Sequence, residues 1–413
     1  MKLTHTGYTA EQIKELTNKY LIETYERYDF VAEEGDGMYL YDTEGKRYLD
    51  FYAGIAVNNV GNRNLRVAEA ISDQAQRLIH TFNYPYTVPQ ALLAELICET
   101  LGFEKIFYQN SGSEANEAMI KMARKYGVES DHPDRYKIIT AKNGFHGRTY
   151  AALSATGRPE SKTHRGFLPV LDGFSYADFN DLQSFKDATD DNTIAILIET
   201  VQGEGGVQTA DYDFMQGLRA WCDENDLLLL LDEVQTGWGR TGKLMGYMHY
   251  DIKPDILSMA KGMGGGMPIG AIVTSEKLAR VFEPGSHGST FGGNPVCCAA
   301  AYAAIRDLIE NKWAENAAEV GAYFREQART LPYVKEVRGQ GLMNAIECSI
   351  KMEDKKARFV EEGLLITVIG KHTLRAVPPL IAQKKHVDEA IRIMKRRVSA
   401  ANWFGPPQCP ARA

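Results

Sequence analysis

Cysteine is scarce in this chain, at six residues of 413, and no Cys-x-x-Cys pair occurs. Cys98, Cys222, Cys297, Cys298, Cys348 and Cys409 therefore fit neither a zinc ribbon nor a disulfide framework. The nine histidines show no His-x-x-x-His or His-Glu-x-x-His spacing, so no metal is expected. No apolar run approaches the length of a membrane span, so no membrane partner is expected. The first residues, Met1-Lys-Leu-Thr-His-Thr6, lack the apolar core of a signal peptide, which makes the cytoplasm the expected compartment. Positive charge is in deficit: the net charge is -7, and the densest basic cluster is Lys395-Arg396-Arg397, expected on a solvated helix face. That balance speaks against a nucleic-acid surface. What remains is ordinary for a globular protein, with 44% hydrophobic and 24% charged residues. The length suits two domains, or one large domain with a smaller companion.

The most informative stretch runs from Leu227 to Gly266. Five leucines, Leu227 to Leu231, lead into Asp232, Glu233, Val234 and Gln235. A short apolar run of this kind reads as a buried strand of a parallel sheet. Its next residue reaches the carboxyl edge, where ligands bind in open α/β folds. A second apolar run, Pro254 to Ala260, delivers Lys261 in the same way, followed by Gly262, Gly264, Gly265 and Gly266. An acid and an amine meeting in one crevice suit pyridoxal phosphate, with the lysine as Schiff-base former and the acid on the ring nitrogen. Two plainer readings stand beside this one. Leucines before Asp-Glu also resemble a Walker B strand, although no Gly-x-x-x-x-Gly-Lys-Ser/Thr loop accompanies them. A lysine at a strand end is also often only a solvated charge.

Before this stretch, the spacing predicts a helix over Glu11–Tyr28, a hairpin over Met38–Asp50, and helices over Leu65–Leu78 and Gln90–Leu101. The aromatic loop Phe82-Asn-Tyr-Pro-Tyr86 can line a pocket or simply pack. A strand, Lys105–Tyr108, runs through Asn110-Ser-Gly-Ser-Glu-Ala-Asn-Glu117 into a helix. That arrangement binds phosphate at a helix N-terminus, or is a plain capping box of Ser111 and Glu114. The strand Tyr136–Ala141 leads to Phe145, His146 and Arg148 on a Gly-framed loop, a set able to stack on a ring and grip a carboxylate. The strand Thr193–Ile198 ends at Glu199, and Glu204 follows among glycines. Strand and helix alternate from Tyr108 to Ala271, the signature of a parallel sheet. The long polar loop Gly285–Pro295 leads to a mixed α+β tail, and the end from Gly405 lacks any periodic pattern and is expected to be disordered.

Together these pieces resemble the class III aminotransferases of pyridoxal-phosphate fold type I, and within that class the acetylornithine branch. The motifs are SGSEANE, FHGRT, QGEGG, LLDEVQTGWGRTG, PDILSMAKGMGGGMPIGA, HGSTFGGNP, VRGQGLM and LRAVPPL, which together span nearly the whole chain. The resemblance implies a large, mostly parallel-sheet domain at 61–295, a smaller α+β domain at 296–413, and an N-terminal segment, 1–60, packing with the latter. It implies catalytic roles for Lys261 and Asp232. It places Gly112 and Ser113 on the cofactor phosphate, Phe145 on the ring face, Gln235 on the phenolic oxygen, His146 in the cofactor site, and Glu199 behind the ring. Thr290 would reach the cofactor of a partner subunit, making a homodimer with active sites at its interface. Arg148 would grip the donor's α-carboxylate, with Ser289 nearby. Arg375 would bind 2-oxoglutarate, and Glu204 would gate it.

The implied reaction moves the terminal amino group of N-acetylornithine to 2-oxoglutarate, giving the semialdehyde and glutamate, a step of arginine biosynthesis. Ornithine, succinylornithine, 4-aminobutyrate, a diamine or an acyl-lysine are alternative donors, and an aminomutase is a further alternative. Three positions depart from the family pattern: Gly61-Asn-Arg-Asn-Leu65 in place of Gly-His-x-His-Pro, Thr200 in place of proline, and Ala376 in place of an aromatic. The first is expected to alter a surface between the N-terminal segment and the large domain, and the last to loosen packing behind Arg375.

Overall fold

The computed structural model describes residues 7–130 and 132–398. Its centre is a seven-stranded sheet in the order Lys105–Gln109, Gly270–Thr274, Ile256–Met259, Leu228–Asp232, Thr193–Ile198, Lys137–Ala141, Phe174–Ala177. Every residue of Thr193–Ile198, Leu228–Asp232 and Ile256–Met259 is buried, as expected where helices cover both faces. All strands run in one direction except Gly270–Thr274, which is antiparallel to both neighbours. The reason is the short connection before it. A parallel return needs a crossover of about a dozen residues or more, usually a helix. The chain from Met259 instead makes a single 3-10 turn, Lys261–Gly264, and comes straight back.

Three smaller sheets complete the fold, one of them the two-stranded hairpin of Val201–Gln202 and Gln208–Thr209 whose loop carries Glu204. Val334–Gln340, Met343–Cys348, Thr373–Ala376 and Thr367–Ile369 form an antiparallel sheet. The helices Trp313–Ala328 and Lys384–Val398 pack on each other, and Trp313–Ala328 also packs on this sheet. Ala32–Asp36, Tyr39–Asp42 and Arg47–Asp50 form an antiparallel meander, and Leu364–Leu365 joins it in parallel beside Arg47–Asp50. The N-terminal segment thus completes a sheet with a strand from the C-terminal third. The helix Pro295–Glu310 packs on the helices Leu65–Arg77 and Val88–Leu101 and backs the turn that carries Lys261.

Several boundaries differ from the sequence reading. The first helix ends at Tyr20, because Leu21 is extended, and Tyr25 lies beyond the helix. Tyr28 stacks on Phe30, which stacks on Tyr48 of the meander. The strand Ala32–Asp36 is mostly exposed, so it carries no apolar alternation to reveal it. The helix after the Gly112 turn begins at Gly112 itself, with Ser111 as N-cap. Cys409 and the aperiodic end from Gly405 lie outside the described residues.

The segment Gly61–Leu65 has a clear local role. Asn62 is buried, donates to Asp50 Oδ2 at 3.0 Å, and exchanges backbone hydrogen bonds with Gly37. Asn64 caps the helix Leu65–Arg77 by accepting from Val67 N. Gly61 and Asn62 are buried in an inner seam, while Arg63 and Leu65 are exposed. Thr200 and Ala376 are both fully buried.

Candidate active site

Five parallel strands deliver their following residues to one edge of the sheet. Lys105–Gln109 leads to Asn110, Ser111, Gly112 and Ser113; Lys137–Ala141 to Phe145, His146 and Arg148; Thr193–Ile198 to Glu199; Leu228–Asp232 to Gln235; and Ile256–Met259 to Lys261. All of these residues line one cavity of about 450 Å³. Asp232 pairs with Ser258 across adjacent strands, so the acid and Lys261 emerge side by side. Lys261 holds φ at 45°, unusual for a residue with a side chain. Such a conformation costs about 1–3 kcal/mol and persists only where the surroundings enforce it.

Asp232 is held from behind. Its Oδ2 accepts from His146 Nδ1 at 2.8 Å and Asn116 Nδ2 at 2.7 Å, and its Oδ1 accepts from Val234 N at 3.0 Å. Asn116 in turn accepts from Ser258 Oγ at 2.6 Å and donates to the His146 carbonyl. Burial works against a charge on His146, but the hydrogen bond and charge of Asp232, with Glu199 beside it, raise its pKa. Burial also pushes Glu199 up to about 7, despite His146, Lys261 and the Phe145 N–H it accepts at 3.0 Å. Burial lowers the pKa of Lys261, and the Arg375 charge adds to this, while Glu204, Asp232 and Glu199 oppose it. A lysine so placed is a better nucleophile and proton acceptor near neutral pH.

These residues fit pyridoxal phosphate. The N–H groups of Gly112 and Ser113 open the helix Gly112–Glu129, where backbone donors and the helix dipole favour an anion. Ser111 and Glu114 do form a cap: Ser111 Oγ accepts from Glu114 N at 3.2 Å, and Glu114 accepts from Asn110 N at 2.9 Å. That cap uses neither the Gly112 nor the Ser113 N–H, so capping does not exclude an anion there. Gln235 Oε1 and His146 Nε2 are buried without a partner among the described residues, polar atoms that call for a ligand or an ordered water. A Cβ on Gly203 would lie 2.5 Å from Gln235 Oε1, so a side chain there would displace the Gln235 amide.

The substrate-side residues divide between two places. Arg148 lines the same cavity, is exposed, and stands 5.3 Å from the Phe145 ring centroid. Arg375, on the strand Thr373–Ala376, is buried; its Nη1 donates to Glu204 Oε1 and to the Gly203 carbonyl at 3.1 Å. Its Nε donates to Thr367 Oγ1 at 3.3 Å. The ion pair is made through one nitrogen and is not bidentate. Ser289 and Thr290 do not line the Lys261 cavity. They line a separate concavity with Phe82, Tyr84, Tyr86 and His287, although Ser289 Oγ reaches Asn110 Nδ2 at 3.0 Å. The sequence reading assigned no role to Asn116, Ser258 or Glu233. An asparagine on an otherwise apolar helix face was the available signal for Asn116. Glu233 is fully buried and accepts from Gly246 N, Tyr247 N and Thr236 Oγ1, which makes it a loop organiser.

The family model for aminotransferase class III matches residues 22–398. The acetylornithine aminotransferase of Caldanaerobacter subterraneus subsp. tengcongensis is 49% identical over 383 residues, covering 91% of this chain and 96% of that protein. The crystal structure of ornithine aminotransferase from Toxoplasma gondii ME49 superposes with a TM-score of 0.90 at 32% identity, covering 94% of this chain and 95% of that one. Acetylornithine aminotransferase from Elizabethkingia anophelis gives a TM-score of 0.84 at 30% identity, covering 95% and 99%.

Proposed function

Because this chain belongs to the class III aminotransferases, a pyridoxal-phosphate-dependent family, we propose that it moves the terminal amino group of N-acetylornithine to 2-oxoglutarate. The products are the semialdehyde and glutamate. The observation that carries this reading is the pairing of Lys261 and Asp232 in one cavity, with an arginine, Arg375, and the acid that covers it, Glu204, close enough for both charges to act on Lys261. The donor is supported by the acetylornithine aminotransferases among the chain's relatives. Bound pyridoxal phosphate supplies an electron sink and a carrier for the amino group. Lys261 Nζ anchors it and moves the proton off and onto the carbon that bears the amine. Asp232 keeps the ring nitrogen protonated, and His146 and Asn116 hold that carboxylate in place. Gly112 and Ser113 would hold the phosphate, Phe145 would stack on the ring, Gln235 would meet the phenolic oxygen, and Glu199 would stand behind the ring.

Two unlike substrates share this site. The donor's reacting amine is far from its α-carboxylate, whereas the acceptor's keto group is beside one. Arg148, which has no ion pair among the described residues, holds the donor's carboxylate. Glu204 hides Arg375 from the donor and yields it to 2-oxoglutarate. The active unit is a homodimer: Phe82, Tyr84, Tyr86 and Phe291 form an exposed aromatic face beside Thr290, a face suited to a second copy. Among the described residues no helix is long and apolar enough to cross a membrane. The free cysteines among the described residues support a cytoplasmic enzyme. The test is a panel of donor half-reactions with N-acetylornithine, ornithine, succinylornithine, 4-aminobutyrate, a diamine and an acyl-lysine. N-acetylornithine should give the highest kcat/KM; a clear preference for another amine would reassign the donor within the class.

A further inference from the structure

The gate raises a problem of charge. Glu204 is partly enclosed, its side chain 30% exposed, and when a substrate carboxylate takes Arg375 the acid loses its partner. Partial burial disfavours an unpartnered carboxylate there, so a second cation within reach favours the open gate. Two other arginines stand by the loop that carries Glu204. Arg338 donates to the Gly206 carbonyl at 2.9 Å but already has ion pairs with Glu336 at 3.2 Å and Glu347 at 3.6 Å. Arg158 has none among the described residues.

Arg158 is firmly placed. Its Nε and Nη2 both donate to the Asn143 carbonyl, at 3.1 and 2.7 Å. Asn143 N donates to Gly157 O at 2.9 Å, and Ser161 Oγ donates to Arg158 O at 2.7 Å, so the segment is pinned at both ends. The Glu204 loop docks on the same place. Gln202 Nε2 donates to Lys142 O at 2.8 Å, and a Cβ on Gly205 would lie 2.9 Å from the Asn143 carbonyl oxygen. The guanidinium and the residue after Glu204 therefore meet on one oxygen. Burial opposes the charge on Glu204, while Arg375 first, then Lys261 and Arg158, hold it.

We propose that Arg158 is the second seat of the Glu204 carboxylate, receiving it when a substrate carboxylate takes Arg375. Arg158 is then a specificity-determining residue that acts through Glu204 without touching the substrate. The proposal rests on the gate reading above. It is tested with holoenzyme and glutarate, a dicarboxylate that lacks the keto group, by calorimetric titration of the parent, Arg158→Gln, Arg158→Lys, Glu204→Ala and the Glu204→Ala/Arg158→Gln double variant. Loss of the second seat should weaken glutarate binding about fivefold or more in Arg158→Gln, the scale of an ordinary coupling between sites. Arg158→Lys keeps the charge and should restore most of that loss. In the Glu204→Ala background the Arg158→Gln change should have no effect, since nothing needs a second seat. The donor half-reaction and the melting temperature of Arg158→Gln should stay near the parent's. If Glu204→Ala tightens glutarate binding while Arg158→Gln leaves it unchanged, the gate stands and the role of Arg158 falls. If Glu204→Ala changes neither glutarate binding nor donor preference, the gate falls and takes this proposal with it. An equal loss from Arg158→Gln in both backgrounds would make Arg158 a direct substrate contact and overturn the proposal.

Discussion

Glu204→Gln removes one charge and almost no volume, so it isolates what the acid does to Arg375. In the parent, Arg375 Nη1 donates to Glu204 and to the Gly203 carbonyl, and Nε donates to Thr367 Oγ1. The glutamine keeps an acceptor at the same place, but a neutral one. Arg375 stays charged, so both bonds are charge-assisted and fall within roughly 1.5–3 kcal/mol; going from the strong end, an ion pair, to the weak end releases Arg375 by about 1–1.5 kcal/mol. That is about tenfold in an equilibrium constant. The variant should bind 2-oxoglutarate about tenfold more tightly and react with glutamate more readily relative to N-acetylornithine. Stopped-flow half-reactions with each amine give the ratio. Stability carries a second signature. Burial raises the Glu204 pKa, but Arg375 outweighs it and holds the group below its ordinary 4.5. A group with a depressed folded pKa contributes stability above its unfolded value and loses it as pH falls through the folded one. The melting-temperature gap between parent and variant should therefore be full near neutrality and close below pH 4.5. An unchanged glutamate-to-donor ratio, with a gap that does not depend on pH, would refute the reasoning.

Arg375→Ala should slow the 2-oxoglutarate half-reaction at fixed substrate by roughly ten- to a hundredfold and leave the N-acetylornithine half-reaction within a few-fold, as pre-steady-state traces will show. Asp232→Asn should fold but slow both half-reactions, because the ring nitrogen loses the charge that favours its proton; parent rates in both would exclude that role. Asn116→Ala removes donors to Asp232 and His146 and leaves Ser258 Oγ unpaired, a loss of about 1–3 kcal/mol in urea unfolding with both half-reactions affected alike. The raised pKa of His146 means its ion pair stabilises fully below its ordinary 6.5 and fades as pH rises through the folded value. The parent's stability advantage over His146→Gln should follow that course in melting curves from pH 6 to 9.

What the sequence made legible here were the residues at strand ends. The leucine run before Asp232 and the glycines after Lys261 mark a carboxyl edge, and the edge places side chains regardless of the details of packing. The direction of Gly270–Thr274 was harder, because apolar content is the same for a strand running either way; only the shortness of its connection decides. Ala32–Asp36 was invisible because an exposed, acidic strand has no alternation. Asn116 and Ser258 were missed for a related reason. Their chemistry lies in a hydrogen-bonded relay between a helix and a strand far apart in the chain, and single polar residues inside apolar segments do not announce a partner. The pairing of Arg375 with Glu204 joins two sheets, and no local pattern encodes that contact.

The central claim is that Lys261 is the amine through which this cavity works. Borohydride reduction of the holoenzyme fixes the cofactor on whichever amine holds it, and peptide mapping by mass spectrometry then names that residue. The account predicts one cofactor-bearing peptide, modified at Lys261, and none in Lys261→Ala. Modification at another lysine, or an unmodified Lys261 in fully active enzyme, would contradict it.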